Sequence, residues 1–311
     1  MKARRESAPT PLHRRLGLAD DFERFRSGLA DWIEAAEPEV CEPLRWQLEA
    51  PSKYYRPLTV FACHRALSVD RPSARVVRAS IAIELFHNVS LIVDDILDRS
   101  RTRRGKLTLH CRYGELRALM TAGYLTAAAF KLVADDSYAV GLLGELMQRL
   151  GVAECVQWRL RRRPLSVSDW RAIASEDTGA MFELCAGLGT RDTSLRPFGR
   201  LLGILYHGCD DVADLRGTSA LGGGGNEDIR DGILTLPAAV ALRDPKVATI
   251  FTNGRNGGSR LLVRKLREAL PEAEQYLDQT AAAATAEAEL NAANPAPLIE
   301  LVTYTRTLSR A

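Results

Sequence analysis

Apolar positions recur at helical intervals along most of the chain. Between Leu16 and Ala36 they fall at Leu18, Phe22, Phe25, Leu29, Trp32 and Ile33, a spacing that predicts an amphipathic helix. Leu44–Leu48 reads as a short second helix, broken at Pro51-Ser52, and Pro57 stands at the start of the next run. Helical periods then cover 58–68, 73–98 and 115–134. A helix over 138–161 follows the turn Asp135-Asp136-Ser137, and one over 168–188 follows the cap Ser166–Asp169. Segments 195–215, 237–242, 258–290 and 297–309 complete the series, with a glycine-rich loop at 216–227. No β-branched alternation or Asn-Gly hairpin interrupts it. The expectation is an all-α fold, one bundle of ten or so helices over 17–311. Residues 1–16, rich in Arg and Pro, are expected to be a disordered tail.

The 311 residues are 46% hydrophobic, enough for one large core, and only 6% aromatic. A net charge of +3 makes no demand for nucleic acid or an acidic surface. The six cysteines form no CxxC pair and are expected as buried thiols in a reducing cytoplasm. No 7–15-residue apolar core follows the basic start, so no secretory signal is expected. No window reaches the roughly 18 uninterrupted apolar residues of a membrane span. The substrate is expected to be small.

One apolar helix runs straight into three carboxylates, Asp94, Asp95 and Asp98, and then into Arg99-Ser-Arg-Thr-Arg-Arg-Gly105. Asp94 and Asp98 share a helix face at i,i+4. Carboxylates this close repel unless a cation sits between them, and Mg²⁺ suits oxygen ligands that leave room for water and phosphate. Asp210, Asp211 and Asp214 repeat the spacing on a second helix. A single copy would be read as a solvated helix end. Two copies at one spacing point to a Mg²⁺-diphosphate site facing an apolar cavity, where loss of diphosphate from an allylic carbon would leave a protected carbocation.

These motifs, in this order, resemble the trans-isoprenyl diphosphate synthases, or polyprenyl synthetases, from about residue 45 to the C-terminus. Ser52-Lys53-Tyr-Tyr-Arg56-Pro57 is similar to their Gly-Lys-x-x-Arg-Pro, and His87 to the histidine seven residues before the first DDxxD. Arg103-Arg104-Gly105-Lys106, His110-x-x-Tyr113-Gly114 and Asp228-x-x-x-Gly232-x-x-Thr235-Leu236-Pro237 fit as well. The resemblance implies an isoprenoid-synthase-type helical bundle around a central apolar cavity, usually a homodimer. It implies Mg²⁺ on Asp94, Asp95, Asp98, Asp210 and Asp214, three ions with diphosphate bound, and Asp211 in the same catalytic group. Lys53, Arg56, His87 and Arg104 would bind isopentenyl diphosphate, and Arg103 the allylic diphosphate.

Three lysines of the family pattern are missing. Asp177-Thr178 stands for Lys-Thr, Leu221-Gly222-Gly223 for Leu-Gly-Lys, and Gly232-Ile233 for Gly-Lys, while Tyr206-His207 replaces Phe-Gln. Arg216 and Arg230 are the unaligned cations that could substitute. Three readings stay open: a chain-elongating synthase; a terpene cyclase or a prenyltransferase with another acceptor; and a non-catalytic subunit, which the two complete aspartate motifs disfavour. Below Asp94 on its helix face lie Ser90 and Val89, then Phe86. With about 5.4 Å per turn, near one isoprene unit, Phe86 would be the floor for a product of about C20. Arg159–Arg163 reads as a solvated helix end.

Overall fold

The computed structural model describes residues 11–50, 52–217, 231–254 and 260–310. The Asp228 motif start, Gly223 and Arg230 lie outside them. Residues 12–16, expected in the tail, are packed instead: α1 (Leu12–Arg15) buries Leu12, and Leu16 is buried after it. Helix α2 (Ala19–Glu34) follows as its apolar stripe predicts, and α3 (Pro38–Leu48) begins earlier than expected, passing through Pro43.

The centre is built from α4 (Tyr55–Leu67), α5 (Ala74–Leu97), α10 (Ala180–Thr190) and α11 (Arg196–Arg216). Helix α10 lies between α4 and α11, and α5 packs against α2, α4 and α7 (Glu115–Leu132). Helix α5 is long and apolar enough to cross a membrane, yet 67% of its apolar window is buried in the bundle. A helix apolar all round is what a core position requires. At the near end of α4, the Tyr55 hydroxyl donates to the Leu301 carbonyl at 2.9 Å. This fixes the helix start beside Arg56 to the C-terminal helix described below.

The remaining helices wrap this centre. Helix α8 (Ser137–Leu160) matches its expected span, with Asp136 accepting from Ala139 N as cap. The single helix expected over 168–188 is three pieces: α9 (Val167–Ala174), a π-helical turn (Ser175–Gly179) and α10. The one expected over 258–290 is two, α14 (Arg260–Glu268) and α15 (Leu270–Asn291), divided at Ala269 just before Pro271. Helices α12 (Leu236–Ala241) and α13 (Pro245–Asn253) precede them, and α16 (Ala296–Leu308) ends the chain. Helices α15 and α16 both cover α11.

One element departs from the all-α expectation. Strands β1 (Thr102–Arg103) and β2 (Lys106–Leu107) form an antiparallel pair, with α6 (Leu109–Tyr113) after it. Arg104 and Gly105 between them have φ of 53° and 77°, the two positive values that a tight two-residue hairpin needs. Strands of two residues are too short to show alternation. The thiols are also less uniform than expected: Cys63, Cys185 and Cys209 are buried, while Cys111 and Cys155 are exposed.

Glycines let α11 approach α10 and the π turn closely. A Cβ on Gly199 would stand 2.4 Å from the Phe182 carbonyl oxygen, and one on Gly203 2.7 Å from that of Thr178. Both obstacles are backbone, which cannot swing aside. Gly203→Ala should therefore push α11 off the π turn and cost about 1–3 kcal/mol, read as a lower urea midpoint with an unchanged slope.

Candidate active site

The first aspartate cluster ends α5. Asp95 is buried and accepts from Arg103 Nε at 2.8 Å, while Asp98 pairs with Arg161 at 3.3 Å. Arg161 also stacks over Trp158, so the arginine run after α8 is not simply a solvated end. Arg162 N donates to the Gly232 carbonyl at 2.8 Å, and its side chain fills the space beside Gly232 and Gly254. The hairpin carrying Arg103 and Arg104 is held to α3 by Trp46. The Trp46 indole N–H donates to the Leu107 carbonyl at 3.0 Å, and its ring takes Lys106 at 4.3 Å and Arg112 at 3.9 Å. These contacts combine a directional bond with cation–π attraction.

The second cluster lies on α11. Asp211 is occupied by the fold itself: one oxygen accepts from Trp170 Nε1 at 2.8 Å and from Leu236 N at 2.7 Å, at the start of α12. Asp210 is different, because its buried Oδ1 has no partner. Asp214 stands one turn further along and is partly buried. His207 bridges the two kinds of contact, with Nδ1 2.9 Å from Thr178 Oγ1 and 3.4 Å from Asp177, and Nε2 3.9 Å from Asp211. Burial disfavours its charge, but Asp211 and Asp177 outweigh that and raise it to about 9, so it is an imidazolium at neutral pH.

The two clusters feel shared charges, Asp177 acting on Asp94 and on Asp211, and Arg103 on Asp94 and on Asp210. Burial, then Glu154 and Asp177, raise the Asp94 carboxyl well above the usual range. Burial with Asp177 and Asp98 pushes Glu154 up to about 7, and burial with Asp211 pushes Asp210 up to about 6. Each shift has the same cause, acids gathered where water is scarce. Glu154 was not singled out from sequence, although it continues the apolar stripe Leu143, Leu146, Leu150 of α8, an odd place for an acid. Among the described residues no three ligands converge closely enough to close around an ion alone. The orphaned Asp210 oxygen is the atom that would donate to a cation whose other positions go to water and diphosphate oxygens.

The cationic wall lies toward α4 and the hairpin. Arg56 donates from Nε to Met181 Sδ at 3.0 Å and sits over the rings of Phe182 and Tyr206, at 5.4 and 5.8 Å. His87 is buried with Nδ1 unpartnered, and burial together with Arg56 and Arg104 pushes its pKa well below normal. It is a neutral ring beside cations. Lys53 lies exposed at the rim, where it helps offset the charge of Asp210. Deeper on α5, Ser90 donates back to the His87 carbonyl, Val89 is half-buried, and Phe86 meets Phe130 of α7 edge-on at 5.6 Å.

The polyprenyl synthetase family model matches residues 37–265. The chain belongs to the polyprenyl synthetase family. It is 29% identical to geranylgeranyl pyrophosphate synthase 9 of Arabidopsis thaliana, covering 92% of this chain and 81% of that one. It is 24% identical to the octaprenyl diphosphate synthase of Haemophilus influenzae, covering 73% and 72%. A Caulobacter crescentus polyprenyl synthase, solved with calcium and isoprenyl diphosphate, superposes with a TM-score of 0.85 at 22% identity, covering 97% and 99%. The fold is thus the all-α isoprenoid synthase fold.

Within this polyprenyl synthetase, Arg216 does not replace a missing lysine. It pairs with Glu274 at 2.7 Å and donates to the Ser309 carbonyl, tying α11 to α15 and the C-terminus. The acid at 177 and the imidazolium at 207 instead neutralise each other. Asp210, whose carboxyl rises from 3.8 unfolded to about 6 folded, opposes folding once ionised; the cost is absent below about pH 4 and complete above about pH 6. Asp210→Asn should therefore stabilise the metal-free chain by roughly 1–3 kcal/mol at neutral pH. The same variant should lose the rise in melting temperature that Mg²⁺ plus inorganic diphosphate gives the wild type.

Proposed function

We propose that the chain joins an allylic prenyl diphosphate to isopentenyl diphosphate, making a longer prenyl diphosphate of about C20, as geranylgeranyl diphosphate synthases do. What supports this reading is that the two aspartate clusters share the charged neighbours Asp177 and Arg103, and that Arg56, Arg103 and Arg104 all act on the buried His87. Asp94, Asp95, Asp98, Asp210 and Asp214 would hold Mg²⁺, which supplies charge neutralisation to the diphosphate leaving group. Asp211 holds the second cluster in place through Trp170 and the start of α12. Arg103, set by Asp95, faces the allylic diphosphate, and Lys53, Arg56, His87 and Arg104 bind isopentenyl diphosphate.

The allylic C–O bond breaks with both electrons leaving on diphosphate. The C3–C4 π electrons of isopentenyl diphosphate then form the new bond, and a C2 proton passes to the released diphosphate. The apolar walls exclude water from the cation meanwhile. Product length is set by Phe86, backed by Phe130, with the smaller Ser90 and Val89 above it.

A second reading rests on Asp177 and His207. An acid–imidazolium pair beside the allylic diphosphate site, where the family pattern has lysine and glutamine, favours a descendant that cyclises its substrate or prenylates another acceptor. The chain is also proposed to pair with a second copy, since Leu116, Leu119 and Met120 present 73, 48 and 63% exposed apolar surface on α7.

Incubation of the pure chain with Mg²⁺ and C5, C10, C15 or C20 allylic diphosphates, with and without isopentenyl diphosphate, tests the choice. Longer diphosphates formed only with isopentenyl diphosphate support elongation; hydrocarbon released without it supports cyclisation. Phe86→Ala should lengthen the main product by at least one isoprene unit, seen by chromatography of the dephosphorylated alcohols. An unchanged length would move the floor away from α5.

A further inference from the structure

Arg56, in the first turn of α4, rests against a triangle of aromatic rings drawn from three helices. Tyr55 of α4 lies 5.6 Å from Phe182 of α10 and 5.2 Å from Tyr206 of α11, and the last two are 5.5 Å apart. The guanidinium carbon stands 5.4 Å from the Phe182 ring and 5.8 Å from the Tyr206 ring. Ring faces attract a cation but set little direction within the guanidinium plane. Direction comes from one atom. Arg56 Nε donates to Met181 Sδ at 3.0 Å, and Met181, on α10 beside Phe182, is buried.

The choice of a thioether matters for what Arg56 can bind. Arg103 and Arg161 are held by carboxylates, Asp95 and Asp98, which offset part of their charge. A thioether sulfur is a weak and uncharged acceptor. It fixes the guanidinium without competing, as a carboxylate would, for the anion that the guanidinium is to meet. Because sulfur takes the Nε hydrogen, the two-pronged approach that remains to an anion is end-on, across Nη1 and Nη2. We propose that Met181 is a positioning residue for isopentenyl diphosphate, its sulfur turning Arg56 so that the Nη edge meets the diphosphate. The proposal rests on the reading of Arg56 as an isopentenyl diphosphate partner. The unbranched Met side chain is also able to follow small movements of the arginine as the ligand arrives.

Met181→Leu keeps the volume and the packing and removes the acceptor. The expected result is a rise of about fivefold in KM for isopentenyl diphosphate, the scale of one ordinary hydrogen bond. KM for the allylic diphosphate and kcat should move less than about twofold by the same scale. Made on top of Arg56→Lys, which leaves no guanidinium to orient, Met181→Leu should raise the isopentenyl diphosphate KM less than about twofold further. An unchanged KM for isopentenyl diphosphate, an equal rise for both substrates, or the same rise in both backgrounds overturns the proposal. Calorimetric titration of isopentenyl diphosphate separates this from the elongation reading. Binding by the wild type without turnover, weakened in Met181→Leu, supports Met181 and overturns elongation only. Absence of binding by the wild type overturns both.

Discussion

The structure depends on carboxylates that are forced together. Asp94, Glu154, Asp177 and Asp210 come from four separate elements, and burial and mutual repulsion raise the proton affinity of Asp94, Glu154 and Asp210. A fold gains nothing in stability from such an arrangement, so the packing of α5, α8 and α11 must hold it against the charges. The aromatic and glycine contacts around the site do that work. Trp170 anchors Asp211, and Gly199 and Gly203 let α11 approach to backbone distance.

The cations are arranged by a different means. Arg103 is fixed by one acid, Arg161 by another, and Arg56 by a thioether and two rings. The hairpin that delivers two arginines to the cavity is short, but Trp46 braces it through a hydrogen bond and two stacked cations. Each of these three arginines therefore has its own tether, which limits the entropy lost when a polyanion binds.

Much of this was legible in the sequence, because periodic apolar stripes report helices and repeated acids report a shared task. Helices α2, α5, α7, α8 and α11 lie where the stripes place them, and each aspartate cluster sits on the helix its stripe predicts. What escaped has physical reasons. The hairpin offers only two residues per strand, and the π turn keeps a helical period while changing its hydrogen bonds. Glu154 sits alone in an apolar stripe with no motif around it, and Trp170 looks like any core aromatic. The arginine run after α8 was misread because charge runs are usually solvated, whereas Arg161 finds Asp98 only in three dimensions.

The glycine contact between α11 and the π turn has a consequence for divergence. Main chain rests on main chain there, so the spacing of the second aspartate cluster is independent of which side chains surround it. Residues such as Asp177 and His207 can be exchanged for other types without moving Asp210. The frame that places the acids and the lining that decides their company are inherited separately, and one can be rewritten while the other stays still.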